Sequence, residues 1–122
     1  MSYKKLIIWQ EARKLSIDIH EMSLRLPSME QFETGKQIRR SSKSIRANIV
    51  EGYGRRKYQA DLIRFLIYAH ASLDETRDHL ETLLETGSLK DETQFNELSK
   101  SINILGSMIH NYIKSIENRP KP

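Results

Sequence analysis

The sequence contains no cysteine, only three prolines and only five glycines. The absence of cysteine excludes disulfides and thiolate metal sites, and it fits a reducing compartment. Long apolar runs are missing from the start of the chain as well. In "MSYKKLIIWQEARK" the run Leu6–Trp9 is four residues long before charges resume. That is too short for a signal-peptide core or a membrane span, so the expectation is a cytoplasmic protein without membrane contact. No useful stretch alternates apolar and polar residues as a strand would, and no repeat or low-complexity tract stands out. At 122 residues the chain is one domain, 1–122, by size, and long enough for a single core without staples.

What is present is helical periodicity. Ile8, Ala12, Leu15, Ile19, Met22 and Leu26 step by four and three until Pro27 intervenes. Ser28…Gln31 and Thr34…Gln37 each match a capping box, which predicts a short helical turn before the second long helix. That helix carries the stripe Ile38, Ser42, Ile45, Ile49, Tyr53. A third carries Leu62, Phe65, Leu66, Ala69, Leu73, Thr76, Leu80, Leu83, and Gly87 follows it. Asp91, with Gln94 three residues on, caps a fourth with the stripe Phe95, Leu98, Ile102, Leu105, Ile109, Tyr112, Ile116. Four helices, at about 6–26, 35–54, 58–86 and 91–117, joined by short connections, predict an all-α fold: an antiparallel up-down-up-down four-helix bundle.

Charge is unevenly placed. The chain carries +4, yet Lys36–Lys57 alone holds eight basic residues and one acid, +7, which leaves −3 for the rest. On a helix, Lys36, Arg39, Lys43 and Arg46 fall within about 80° of one another, and Arg55, Arg56 and Lys57 cluster at its end. Like charges at i,i+4 repel by a few tenths of a kcal/mol, so solubility alone would favour interspersed glutamates. A row of long cations on one rigid element is what phosphate binding requires. The alternative is a face solvated, or neutralised by the acidic stripe Asp74, Asp78, Glu81, Glu85 of the third helix. Both readings stand on the sequence.

Other features are plainer. Ser41, Ser42, Ala47 and Gly52 allow a neighbouring helix to come close. Gly52 and Gly54 do not make a phosphate loop, because no strand precedes them and no Lys-Ser/Thr pair follows. The third helix is apolar nearly all round between Leu62 and Leu73, and Ile63, Ile67 and Tyr68 fall away from its core stripe. A second apolar face predicts a subunit interface. His20, His70, His79 and His110 stand singly, without metal-ligand spacing or a Glu-x-x-His motif. No catalytic constellation is found, and Trp9 reads as a packing anchor.

"IIWQEARKL" at 7–15, "LP" at 26–27, "QIRRSSKSIRANIVEGYGR" at 37–55 and "FLIYAHASLDET" at 65–76 together resemble the 23S rRNA intervening-sequence family. Gln37, Arg39, Arg40, Ser44, Ile45, Asn48, Ile49, Glu51, Gly52, Gly54 and Arg55 match its signature. The resemblance implies a four-helix subunit assembling into a ring-like homopentamer. It also implies kinship with the accessory variability proteins of diversity-generating retroelements, basic pentamers that bind nucleic acid and a reverse transcriptase. The chain departs from the pattern at Arg46, where proline is frequent, at Val50, where alanine is usual, and at Ala71, where glycine is common.

The expectation is therefore a non-enzymatic homo-oligomer, without cofactor or metal, that binds RNA or DNA. Arg39, Lys43, Arg46, Arg55, Arg56 and Lys57 form the anion-binding surface, with Arg40 partly engaged in packing or pairing. Ile63, Ile67 and Tyr68 lie at the subunit interface. The competing expectation is a protein-interaction scaffold whose charges serve assembly.

Overall fold

The computed structural model describes residues 2–120. Ser2 accepts the Lys4 N–H and opens a 3-10 turn, Tyr3–Lys5. The chain then forms α1 (Ile7–Leu24), the single-turn α2 (Ser28–Gln31), α3 (Thr34–Gly54), α4 (Gln59–Glu85) and α5 (Glu92–Glu117). The long helices pack in the cyclic order α1, α3, α4, α5 and back to α1. Cross-helix contacts run in opposite senses along the α1–α3 and α3–α4 pairs. Ser16 meets Arg46 while Ser23 meets Arg39, and Ser41 meets Thr76 while Ser44 meets Ser72. This is the antiparallel up-down-up-down bundle that the periodicity predicts.

The apolar stripes account for the core. Ile8, Ala12, Leu15, Ile19, Met22 and Leu26 of the first stripe are all buried, as are Ile38, Ile45, Ile49, Leu66, Leu73, Leu80, Leu83, Ile102, Leu105 and Ile109. Trp9 is buried too, its ring edge-on to Tyr3 at 5.2 Å. No helix among the described residues is long and apolar enough to cross a membrane.

Two of the three expected caps do different work. Asp91 caps α5 by accepting the Gln94 N–H at 3.1 Å. Ser28 and Thr34, by contrast, lie inside their helices, after Pro27 and Glu33. Gln31 sends its amide back to the carbonyls of Leu24 and Leu26, closing the orphan end of α1, and Glu30 accepts the Thr34 N–H. A capping box fits the local spacing, but the open carbonyls of a preceding helix compete for the same side chains. Gly87, at φ 77°, ends α4 in the left-handed region that glycine adopts without strain.

α3 and α4 approach closely along a seam of small residues. Ser41 and Thr76, both buried, share a hydrogen bond of 2.8 Å, and Ser44 meets Ser72 at 2.9 Å. At Gly52, a Cβ would sit 3.1 Å from the Phe65 Cβ and 3.3 Å from the Leu62 carbonyl oxygen. A branched side chain there would push α4 outward. Gly52→Val is therefore expected to destabilise the bundle by about 1–3 kcal/mol, read as a lower midpoint in urea denaturation at unchanged slope.

Candidate nucleic-acid interface

The basic segment lies on α3 and the turn after it, and the fold divides its cations into three kinds. Arg39 and Arg46 turn toward α1. Arg39 donates to Ser23 Oγ at 3.0 Å and to the Gln31 carbonyl at 2.8 Å. Arg46 donates to Ser16 Oγ at 3.2 Å, and its guanidinium lies 5.3 Å from the centre of the Trp9 ring. Each serine passes the interaction on, Ser23 to the His20 carbonyl and Ser16 to the Arg13 carbonyl. Two arginines seven residues apart thus meet two buried serines seven residues apart, as rungs between antiparallel helices. The rungs join a cation to a neutral hydroxyl, so neither guanidinium loses its charge to a carboxylate.

Lys36, Arg40 and Lys43 form the second kind. They fall within about 60° of one another on α3, roughly 120–180° from Ile38, Ile45 and Ile49, and all three are exposed. Among the described residues no carboxylate lies within 4.0 Å of any of them. Arg40, expected to be partly engaged, is open, whereas Arg39, expected to be free, is the engaged one. Spacing alone puts Arg39 and Arg46 on the edge of the face. The serines that draw them to α1 stand at the same seven-residue interval, and that match was the signal available in the sequence.

At the far end of α3 the cations lie on rings. Arg55 is 4.9 Å from the centre of Phe65 and 3.7 Å from Glu51, and Arg56 is 4.2 Å from the centre of Tyr53. Lys57 stands 5.8 Å from the ring of Tyr58, which is 62% exposed. All three cations remain exposed, and such contacts hold a cation in place without cancelling its charge. The exposed cations therefore fall in two groups, Lys36, Arg40 and Lys43 on the outer face of α3 and Arg55, Arg56 and Lys57 in the turn after it, with Arg39 and Arg46 on one flank.

The acidic stripe does not neutralise this face within the chain. Asp74 pairs with Arg77 and His70 of its own helix, and Asp74, Asp78, Glu81 and Glu85 are all exposed. On α4, Ile67 is 52% and Tyr68 48% exposed. Ile63 is half-buried and packs against the core, unlike the outward residue the wheel suggests. Among the described residues no cluster of three or more His, Cys, Asp or Glu could hold a metal ion.

A family model described as 23S rRNA-intervening sequence protein matches residues 4–111. A crystal structure of a protein of unknown function from the S23 ribosomal protein family of Bacteroides thetaiotaomicron superposes with a TM-score of 0.77 at 25% identity, covering 88% of this chain and 99% of that one. No curated protein matches the chain.

The division of the cations has a direct test. Arg39→Ala removes hydrogen bonds to α1 and to the turn before α3, and should cost about 1–2 kcal/mol of stability. Lys43→Ser removes an exposed side chain and should stay within about 0.5 kcal/mol of the parent. Parallel thermal or urea unfolding of the two variants measures the contrast.

Proposed function

We propose, on the premise that the chain belongs to the 23S rRNA-intervening sequence protein family, that it is a non-enzymatic, homo-oligomeric protein that binds RNA or DNA along α3. The observation that carries this reading is the exposed row Lys36, Arg40, Lys43, in which no side chain forms an ion pair within 4.0 Å among the described residues. A rigid helix holds the row, and the flanking Arg39 and Arg46 are matched to hydroxyls. Long cations on a preorganised rail neutralise successive phosphates and release their counterions. Nothing on the rail resembles a base-reading motif, so the binding follows the backbone rather than the sequence. Kinship with accessory variability proteins, which the sequence resemblance implies, adds a reverse transcriptase as a candidate protein partner, and the cysteine-free composition fits the cytoplasm as the place of action.

Self-association is the second part of the proposal. Ile67 and Tyr68 are each about half exposed on α4, near an acidic stripe that, among the described residues, forms no ion pair with another helix. A second copy would cover the apolar face, and the family resemblance favours a pentamer. The scaffold reading draws on the same features, since the acidic stripe of one copy complements the basic row of another. Nucleic acid and scaffold differ in what salt and substitution do.

Log K for a single strand against log salt concentration should slope near −3 if about four phosphates are engaged. Changing Lys36, Arg40 and Lys43 together to serine should weaken binding to all sequences alike and flatten the slope by about 2, as measured by mobility shift or anisotropy titration. In the scaffold reading the same variant dissociates the particle, and the parent shows no affinity for nucleic acid at low salt. For assembly, light scattering should give a multiple of 14.3 kDa. Ile67→Glu should return the mass to that of one chain with helicity retained, because a charge in an apolar interface is costly.

A further inference from the structure

Between α1 and α3 lies a groove of about 580 Å³, within the range of small-ligand sites, roughly 300–1,000 Å³. Its lining is mostly apolar, with the exposed Ile17 on α1, Ala47 and Val50 on α3, and the buried Trp9 and Ser16 beneath. Lys43 and Arg46 stand on the α3 rim, and Glu21 is the one acid on the α1 side. The groove opens beside the basic row, since Lys43 belongs to both. The geometry points to this groove as a pocket for an unpaired nucleobase of a single strand whose phosphates lie on Lys43 and Arg46. The inference rests on the phosphate-binding reading of α3 and adds to it the class of nucleic acid.

Three features select this occupant. The apolar lining favours a flat, largely uncharged body, and the exposed Glu21 opposes an anion on the α1 side of the groove. The two cations on the opposite rim fix where the flanking phosphates lie. Arg46 is already held, by Ser16 at 3.2 Å and by Trp9 at 5.3 Å from the ring centre. A guanidinium plane fixed in this way is a surface on which a base can stack, as splayed-out bases do on arginine and aromatic side chains in single-strand recognition. In a duplex the bases stay stacked on one another and cannot enter. A groove used in this way makes the protein prefer single strands while remaining indifferent to their sequence.

Trp9 is the sole tryptophan and lies against this groove, so its emission reports occupancy. The probes are a ten-nucleotide single strand and an abasic sugar–phosphate strand of the same length and charge, titrated at low salt. The strand with bases should bind about tenfold tighter, in keeping with the stacking of one base, and should change the emission of Trp9. The abasic strand should bind through the row and change the emission of Trp9 far less, through Arg46 alone. Ala47 is exposed, so Ala47→Phe fills the groove without entering the core. It should abolish the tenfold difference while leaving abasic affinity within about twofold of the parent. Equal affinity of the parent for both strands would overturn the pocket and leave phosphate binding standing. A difference that survives in Ala47→Phe would overturn it too, as would a change in particle mass in that variant, which would make the groove a contact between copies. Binding of neither strand at low salt would remove the phosphate reading and the pocket with it.

Discussion

For α4 to lie close against α3, the facing side chains must be small, and none of their polar atoms can be left without a partner. The bundle meets both conditions with paired hydroxyls. Ser41 with Thr76, and Ser44 with Ser72, bridge the seam, and Gly52 lets Phe65 rest almost on the α3 backbone. Asn48 reinforces the pairs by donating to the Ser44 carbonyl and hydroxyl. On its other flank α3 is joined to α1 by the two arginine–serine rungs. With both flanks occupied in this way, only one face of α3 remains for solvent, and that face carries Lys36, Arg40 and Lys43. The charged row is where it is because the seams fix the rotation of the helix about its own axis.

The family signature takes on a physical meaning in this light. Ile45 and Ile49 are core residues, Ser44 and Asn48 build a seam, and Gly52 permits close approach. Arg39 ties α3 to α1 and to the turn before it, while Arg55 lies over Phe65 next to Glu51. Much of the motif therefore specifies how α3 packs rather than what it binds. Arg46, the departure from the motif, falls at a rung position. It adds a guanidinium between Ser16 and Trp9 and keeps the helix unbroken, where a proline would lack the N–H of the helical ladder.

Most of the fold could be read in the sequence because burial follows period. The first-helix stripe from Ile8 to Leu26 is buried at every position, as are Ile38, Ser42, Ile45, Ile49 and Tyr53 of the second. The caps at Ser28 and Thr34 were not legible, because a capping box says nothing of the carbonyls left open by the preceding helix. Individual cations were legible only as a group. A wheel gives the angle of Arg39 and Arg40, but the choice between them depends on which neighbouring helix offers an acceptor. Ser23 offers one to Arg39, whereas no side chain of a neighbouring helix is hydrogen-bonded to Arg40 among the described residues. The groove beside Trp9 exists only once α1 and α3 are set side by side, so no local pattern could announce it.

The rungs at Ser16 and Ser23 join a cation to a neutral oxygen, partly shielded from water. Dissolved ions screen attraction between opposite charges far more than they weaken such a bond. Counterion release, in contrast, makes any polyanion on the exposed row acutely sensitive to ionic strength. Occupancy and integrity thus answer to separate solution variables. On the proposed function, a rise in salt clears the surface while the bundle keeps its shape, so each molecule is available for another round without refolding.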